Sequence, residues 1–468
     1  MTMLQNNLEL LKKRYPDIYD EIKDIHVDSN MYQIIENNEG QKTLKMTQSL
    51  YGENKSHFLH SKYHPDVEAE RFAREQYKPE FPIHILYGFG FGYHVGKIAG
   101  FLEPGSSLYV IENNLTVFRL ALENVDLASI LEDPRIFLII SRDVAYISRT
   151  VKKLIDDNFD KVNFITHPAS LKAIPAENEY FKFVMENWNL KKSITDDYDN
   201  SLRNNASENL KLNSPNVGIF FDKFKNVPII VVSTGPSLDK NIDLLKEAKG
   251  RALIIAAGSA LRPLLIRNIE PDFFAIIDPQ KETYNQINGY ENIGIPLIYL
   301  ATAASYTISR YLGPKFIAYY GKFNNGSEYV VDSGGSVATT ILDVAIKMGG
   351  NPIILVGQDL AYVDGKNHAE YGSHNSIYSP KLKNMRRVKG QNGEILYTSL
   401  GYLSYKYWIE NRIENEQRVF LNATEGGAYI EGMKHIKLRD VISDYLKERF
   451  DFKDKIESIL KESGVQHV

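Results

Sequence analysis

Short runs of apolar residues recur through the centre of the chain, separated by stretches in which apolar positions return at helical spacing. Two such helical stretches cover residues 241–247 and 337–348. Alternating strands and helices are typical of a mainly parallel sheet with helices on both faces. We predict buried strands at residues 227–232, 252–257, 273–277, 296–300 and 352–356.

A shorter pattern of the same kind precedes it. Apolar runs at residues 83–87, 107–111 and 137–140 predict three strands, which make half of a doubly wound sheet. A Gly-x-Gly-x-Gly segment, Gly88 to Gly92, follows the first run, and Glu112 follows the second. The segment either binds an adenosyl ligand, as in a methyltransferase, or allows tight packing of strand against helix. We favour packing, because Tyr87 stands where an acid is usual.

The patterns predict an α/β protein with two Rossmann-like doubly wound domains joined by helices, plus a C-terminal helical region. We place the N-terminal domain at residues 1–165, a helical connector at 166–226, the central domain at 227–432 and the C-terminal helices at 433–468. An amphipathic helix opens the chain, with Leu4, Leu8 and Leu11 on one face.

Composition narrows the functional classes. The chain has 468 residues, with 55 Lys and Arg against 59 Asp and Glu and a net charge of −4, so we expect no nucleic-acid partner. Cysteine is absent, which excludes disulfides, thiolate metal ligands and a cysteine nucleophile. No signal peptide and no apolar stretch of about 18 residues is visible. We therefore expect a cytoplasmic protein without a membrane partner.

Small or polar residues follow the predicted central strands. In open α/β sheets, ligands bind beyond the carboxyl ends of the strands, where small residues let a ligand approach the backbone. The candidates are Ser233 to Ser237, Ser259, Asp278, and Gly357-Gln358-Asp359.

Two of these segments enter helices. The Gly235-Pro236-Ser237 turn could offer backbone N–H groups to a phosphate, or Ser237 could simply cap a helix. Ser333-Gly334-Gly335-Ser336 forms a second such loop, which could hold a phosphate or a sugar. Neither has the Gly-Lys-Ser/Thr ending of an ATPase P-loop. Asp359 and His368 are close enough in sequence to act as acid or base.

Six motifs of the central region occur together. They are Val232-Ser-Thr-Gly235-Pro236-Ser237-Leu238-Asp239-Lys240-Asn241, Ile269-Glu-Pro271-Asp272 with Ile277-Asp278, Asp332-Ser333-Gly334-Gly335-Ser336-Val337-Ala338, Gly357-Gln358-Asp359-Leu360-Ala361-Tyr362, Asn367-His368-Ala369 and Asn422-Ala423-Thr424-Glu425-Gly426-Gly427-Ala428. Together they resemble the motility-associated factor (Maf) family of flagellin glycosyltransferases, whose central domain is MptE-like. The resemblance is strong over residues 180–435, and the same core is similar to bacterial CMP-sialic acid sialyltransferases.

This resemblance implies a transferase that moves a nonulosonic acid, of pseudaminic or legionaminic type, from a CMP-activated donor to Ser or Thr hydroxyls of flagellin. It implies no required cofactor, and because no Asp-x-Asp triplet occurs near the candidate site we expect metal independence or only weak stimulation by a divalent cation. Gly235, Pro236, Ser237, Ser259 and Asp278 would shape the nucleotide pocket. The loop residues that would cradle the phosphate or sugar carboxylate are Ser333, Gly334, Gly335 and Ser336.

The reaction centre would be lined by Gln358, Asp359 and Tyr362, with Asp359 or His368 as the general base. One departure affects that assignment: the sialyltransferase catalytic histidine lies where this chain has Tyr397-Thr398-Ser399-Leu400. Two alternatives stay open. One is an ATP- and Mg²⁺-dependent enzyme like 6-hydroxymethylpterin diphosphokinase, and the other is a nucleotide-sugar binding protein without catalysis.

Overall fold

The structure is a computed structural model that describes residues 2–25, 27, 31–50, 53–158, 161–175, 178–363, 366, 368–370 and 385–464. The chain divides into two compact units, Met1–Thr195 and Asp196–Val468. Among the described residues, no helix combines the length and the apolar character that crossing a membrane requires.

The first unit contains an antiparallel three-stranded sheet and a parallel four-stranded sheet. Its strands are β1 (Tyr32–Glu36), β2 (Lys42–Leu50), β3 (Glu53–Phe58), β4 (Ile83–Tyr87), β5 (Ser107–Glu112), β6 (Ile136–Ile140) and β7 (Val162–Thr166). Its helices are α1 (Met3–Arg14), α2 (Pro16–Ile22), α3 (Pro65–Gln76), α4 (Tyr93–Phe101), α5 (Leu115–Asn124), α6 (Ala128–Leu131), α7 (Val144–Asp156) and α8 (Pro168–Lys172), and α9 (Glu179–Leu210) contains the division between the units.

The four-stranded sheet has the order β6-β5-β4-β7. The chain adds β5 and β6 on one side of β4 and then adds β7 on the other side, so the strand order reverses between β4 and β7. The three strands predicted from the apolar runs are β4, β5 and β6. The sequence analysis did not predict β7, which crosses the expected boundary at residue 165. Its Val162-Asn163-Phe164 sequence places a buried Asn inside the strand, where the amide donates to the Gln76 carbonyl oxygen.

The second unit is built on one eight-stranded parallel sheet, with a separate two-stranded hairpin. Its strands are β8 (Ile229–Val232), β9 (Leu253–Ala257), β10 (Phe273–Ile276), β11 (Leu297–Leu300), β12 (Lys315–Ala318), β13 (Ile353–Val356), β14 (Arg386–Lys389), β15 (Ile395–Thr398), β16 (Phe420–Asn422) and β17 (Lys434–His435). Its helices are α10 (Leu238–Asn241), α11 (Leu245–Ala248), α12 (Gly258–Ile266), α13 (Ser305–Ile308), α14 (Val337–Lys347), α15 (Leu400–Ile413), α16 (Leu438–Tyr445) and α17 (Phe452–Glu462).

The eight strands lie in the order β12-β11-β10-β9-β8-β13-β16-β17. The central strands, β8 to β11 and β13, are buried along their whole length, as expected for parallel strands covered on both faces. The chain therefore winds outward from β8 in one direction and from β13 in the other. The predicted α/β class with parallel sheets in two units is confirmed.

Candidate functional site

The candidate site lies at the carboxyl ends of β8 and β13, where the direction of winding reverses. Such a reversal leaves a crevice between the loops that follow the two strands. The backbone N–H of Gly235 donates to the Gly357 carbonyl oxygen at 2.7 Å, so the two loops are joined at their base. The turn after β16 completes the arrangement, because Gly426 packs against Ser237.

The Asp359 side chain links the loop after β13 to the loop after β8 through hydrogen bonds with Ser237. Its carboxylate accepts the Ser237 hydroxyl at 2.5 Å and also the Ser237 backbone N–H at 3.2 Å. The side chain is only 2% exposed. Asp359 therefore contacts the Gly-Pro-Ser turn rather than open solvent, and it fixes the direction of the Ser237 hydroxyl.

Glycine is required where the three loops meet. A Cβ on Gly235 would overlap Asp359 Oδ2 and lie 2.6 Å from the Gly357 carbonyl oxygen. A Cβ on Gly426 would overlap Ser237 Oγ, and one on Gly427 would overlap the Asp359 backbone. These glycines therefore enclose the carboxylate.

Burial raises the pKa of Asp359 to about 6, and the hydrogen bonds from Ser237 oppose that increase. The next residue, Leu360, has a φ of 53°, in the left-handed region that bulky side chains rarely adopt. Its carbonyl oxygen accepts the Thr398 hydroxyl at 2.7 Å. Backbone strain of this kind is common at functional sites.

The other residues predicted after β8, β9 and β13 form hydrogen bonds along the crevice. Ser233 Oγ donates to Gln358 Oε1 at 2.6 Å, and the Gln358 N–H donates to the Thr424 hydroxyl at 3.0 Å. The hydroxyls of Thr234 and Ser259 are in contact. Gln358 and Ser259 are thus linked to the Gly235 turn, as the sequence analysis expected them to be neighbours.

His368 lies half-buried beside the same turn. Its Nδ1 is 3.3 Å from the Thr234 carbonyl oxygen, which can only accept, so Nδ1 carries the proton and Nε2 is the unprotonated nitrogen of the ring. The N–H of Ala369 donates to the same carbonyl oxygen at 2.8 Å. Asn367, which precedes His368 in the family motif, lies outside the described residues.

The second predicted loop, residues 332–336, leads into α14. Ser336 is the N-cap of that helix, where its hydroxyl accepts the Thr339 N–H at 3.2 Å. The N–H of Asp332 donates to buried Asp343 at 2.7 Å. The Ser336 hydroxyl is therefore used inside the protein, and the Gly335 N–H donates to the Ser333 hydroxyl at 3.4 Å, although Gly335 itself is exposed.

Helix α15 brings aromatic side chains to this loop that the sequence analysis did not single out. Gly334 packs on the Trp408 ring, and a Cβ on Gly335 would lie 3.8 Å from Tyr405. Burial raises the pKa of Tyr405, and the charge of Asp278 raises it further, which puts Asp278 near the same ring. Tyr402 connects Tyr405 to predicted Tyr362, with ring centres 6.4 and 6.0 Å apart.

The spacing of these residues could have identified them. Tyr402, Tyr405 and Trp408 recur every three positions, so they share one face of a helix. Segment 397–400, where the sequence resemblance places the sialyltransferase histidine, pairs with the loop after β13: the N–H of Tyr362 donates to the Tyr397 carbonyl oxygen at 2.8 Å, and the Thr398 hydroxyl donates to the Leu360 carbonyl oxygen.

In the first unit, the Gly88 to Gly92 loop is filled by the protein's own side chains. Glu112 is buried and accepts the N–H groups of Phe89 at 3.1 Å and Asn114 at 2.9 Å. Burial raises its pKa to about 7. The carboxylate that would bind a ribose in an adenosyl site is therefore occupied by the loop itself, as the packing interpretation expects.

Three comparisons with known proteins bear on these observations. Residues 200–365 match a family model described as 6-hydroxymethylpterin diphosphokinase MptE-like. A Maf glycosyltransferase from Magnetospirillum magneticum AMB-1 has a similar structure, with a TM-score of 0.55 and 19% identity over 98% of this chain and 78% of that one. No curated protein matches the sequence.

The first two findings confirm the resemblance drawn from the sequence motifs. The central segment is MptE-like, and the described chain has the fold of a Maf glycosyltransferase.

Proposed function

We propose that this protein transfers a nonulosonic acid, of pseudaminic or legionaminic type, from a CMP-activated donor to Ser or Thr hydroxyls of flagellin. The observation that carries the proposal is the convergence of three small-residue turns at the β8–β13 reversal, in a chain with the fold of a Maf glycosyltransferase. That crevice is where a Rossmann-like sheet binds a nucleotide.

The chemistry needs few protein groups. The bond between the anomeric carbon and the CMP phosphate oxygen breaks, CMP leaves with the electron pair, and the acceptor oxygen bonds to an oxocarbenium-like carbon. The phosphate is a good leaving group, so backbone N–H groups and hydroxyls suffice to stabilise its charge. The acceptor hydroxyl gives its proton to a general base.

Of the two candidate bases, the geometry favours His368. Its Nδ1–H faces the Thr234 carbonyl oxygen, which holds the ring beside the Gly235 turn and makes Nε2 its basic nitrogen. Asp359 is enclosed by Gly235, Gly426 and Ser237 and lacks a path to an acceptor. We assign Asp359 as a positioning residue that orients the Ser237 turn towards the donor.

The rest of the pocket follows from the neighbouring loops. Gln358 and Ser259 line the β8 and β13 side with the Gly235 turn. Exposed Gly335 leaves room for the phosphate or the sugar carboxylate to approach the 333–336 loop. Tyr362, Tyr402 and Tyr405 supply flat faces with polar tips, which suit a sugar.

The first test is calorimetric titration of the protein with CMP, with and without Mg²⁺. We expect micromolar to low-millimolar binding that Mg²⁺ leaves unchanged. Gly335→Val should abolish it, because the added side chain would project from an exposed position into the crevice. Gly326→Val is the matched control. Gly326, like Gly335, has a positive φ, and a Cβ on Gly326 would meet nothing within 4 Å. Unchanged CMP affinity in Gly335→Val would refute the phosphate-loop assignment.

The second test measures transfer from CMP-activated nonulosonic acids to flagellin. His368→Ala should reduce kcat by about 10²- to 10⁴-fold with little change in CMP affinity, as expected for loss of a general base. Exposed His64→Ala is the control and should keep full activity. If His368→Ala and Asp359→Asn both keep full transfer, the reaction-centre assignment is wrong.

The description of the matching family model makes a phosphotransferase the second candidate. Mg²⁺-dependent ATP binding without CMP binding would favour it. CMP-sugar binding without transfer to any acceptor would instead favour a nucleotide-sugar binding protein.

A further inference from the structure

Three buried histidines meet at the reversal point of the first unit's parallel sheet. His94 follows the glycine-rich loop after β4, and His167 directly follows β7, the neighbouring strand. His60 comes from the segment after β3. One ligand nitrogen from each ring lies within 4.8 Å of the other two. The crevice that would hold a nucleotide in a Rossmann-like sheet is thus occupied by imidazoles.

The rings are close enough for one metal ion after small rotations. The ring centres of His94 and His167 are 4.1 Å apart, and that of His60 lies 5.4 and 5.2 Å from them. A tetrahedral ion with bonds of about 2.0–2.1 Å needs ligand nitrogens about 3.4 Å apart. Side-chain rotation can supply that difference without a change of fold.

His94 provides the clearest sign of a missing ligand. Its Nε2 is 2.7 Å from the Gly88 carbonyl oxygen, so Nε2 carries the proton and donates. The lone pair is therefore on Nδ1, which is buried and has no hydrogen-bond partner. His94 is 1% exposed. A histidine that donates one N–H to a backbone carbonyl while the other nitrogen is unoccupied has the arrangement of a metal ligand.

His167 shows a related arrangement. Its Nδ1 is 2.8 Å from the Ser170 hydroxyl, which orients the ring, and in the tautomer whose Nδ1–H donates to that hydroxyl Nε2 is the ligand nitrogen. His60 Nε2 accepts the Phe91 N–H at 3.0 Å, so this nitrogen is also unprotonated. An ion bound there would replace the Phe91 N–H, which is the one hydrogen bond that binding must break.

We propose that His60, His94 and His167 form a binding site for a divalent transition metal, Zn²⁺ in particular. Imidazole nitrogens suit Zn²⁺, and three protein ligands leave a fourth position for water. Burial keeps the pKa of all three rings below the ordinary value, so each ring is neutral near pH 7 and has one unprotonated nitrogen.

The site explains the glycine-rich loop. A Cβ on Gly90 would lie 2.7 Å from His60 Nε2, and a Cβ on Gly88 would overlap Ser170 and lie 3.1 Å from the His167 Cβ. The glycines let the loop backbone reach the histidines.

The test uses the full chain, stripped with EDTA, desalted and titrated with Zn²⁺ alone. We expect one equivalent to bind and a higher melting temperature, since the ion binds only the folded state. With Co²⁺ as the probe, we expect the visible absorption of a nitrogen-ligated, four-coordinate ion. His94→Gln and His167→Gln should each weaken Zn²⁺ binding by about 100-fold or more, and Ser170→Ala by about 10-fold.

The matched control is His84→Gln, because His84 is buried in the same unit but stands outside the cluster. It should leave Zn²⁺ affinity unchanged, and circular dichroism checks that each variant folds. Failure of the stripped wild-type chain to bind Zn²⁺ at about 100 µM, a weak affinity by protein standards, would overturn the proposal. So would equal affinity in wild type and folded His94→Gln. Neither measurement depends on transferase activity.

Discussion

In both parallel sheets the strand order reverses at one point, but different groups contact the loops at the two reversal points. In both, a glycine-rich loop after the first central strand is held by a buried carboxylate from a neighbouring strand: Glu112 binds Phe89, and Asp359 binds Ser237. In the first unit the loop packs on three imidazoles. In the second it packs on a carboxylate and on backbone. The glycines of such a loop are therefore needed first for packing. The groups that surround the loop then determine which ligand it can bind.

The largest expected effect tests how rigid the second loop is. Gly235→Ala should lower the free energy of unfolding by more than about 3 kcal/mol, because the Cβ meets a backbone carbonyl and an enclosed carboxylate. Gly100→Ala is the control: Gly100, like Gly235, has no positive φ, but nothing lies within 4 Å of the added Cβ, so this substitution in helix α4 should not destabilise the protein. Chemical denaturation measures both. A similar change in the free energy of unfolding in the two variants would mean that the groups around Asp359 move to accommodate the added Cβ.

The second prediction concerns the carboxylate of the first loop. Because the pKa of Glu112 is raised to about 7, the folded protein keeps a proton that the unfolded chain loses near 4.5. The contribution of Glu112 to stability therefore falls as pH rises from about 4.5 to about 7, by about 3 kcal/mol in all. Glu112→Gln should remove this slope. A slope that persists in the variant must come from other groups.

The third prediction compares a glycine that packs against histidine side chains with one that packs against backbone and a carboxylate. Gly90→Ala should cost about 2 kcal/mol, less than Gly235→Ala, because its Cβ meets histidine side chains that can turn aside. Gly105→Ala, at a positive φ in open space, should cost about 1 kcal/mol. If Gly90→Ala proves as costly as Gly235→Ala, the histidine cluster is as rigid as backbone.

The smallest effect concerns the second loop of the central unit. Ser336→Ala should cost about 1 kcal/mol through loss of the α14 cap, with CMP affinity unchanged. Ser336→Thr should retain the cap. A tenfold loss of CMP affinity in Ser336→Ala would instead mean that the hydroxyl contacts the donor.

The central strands and the loops that follow them were predictable, because long apolar runs such as 227–232 and 352–356 indicate fully buried strands. Strand β16 was not, since Phe420–Asn422 is too short to show a pattern. The enclosure of Asp359 was also out of reach, because it depends on Gly426 and Gly427, which are distant in sequence. The roles of Tyr402 and Tyr405 depend on where α15 packs, which helical spacing alone does not fix.

The order of strands in the large sheet sets a limit on how this protein can be divided. The segment that matches the family model ends at residue 365, but Gly426, which closes the crevice against Ser237, follows β16. A fragment cut to the recognisable segment would keep the turns after β8 and β13 and lose the third. The smallest transplantable unit of this site is therefore longer than the part of the chain that sequence similarity identifies.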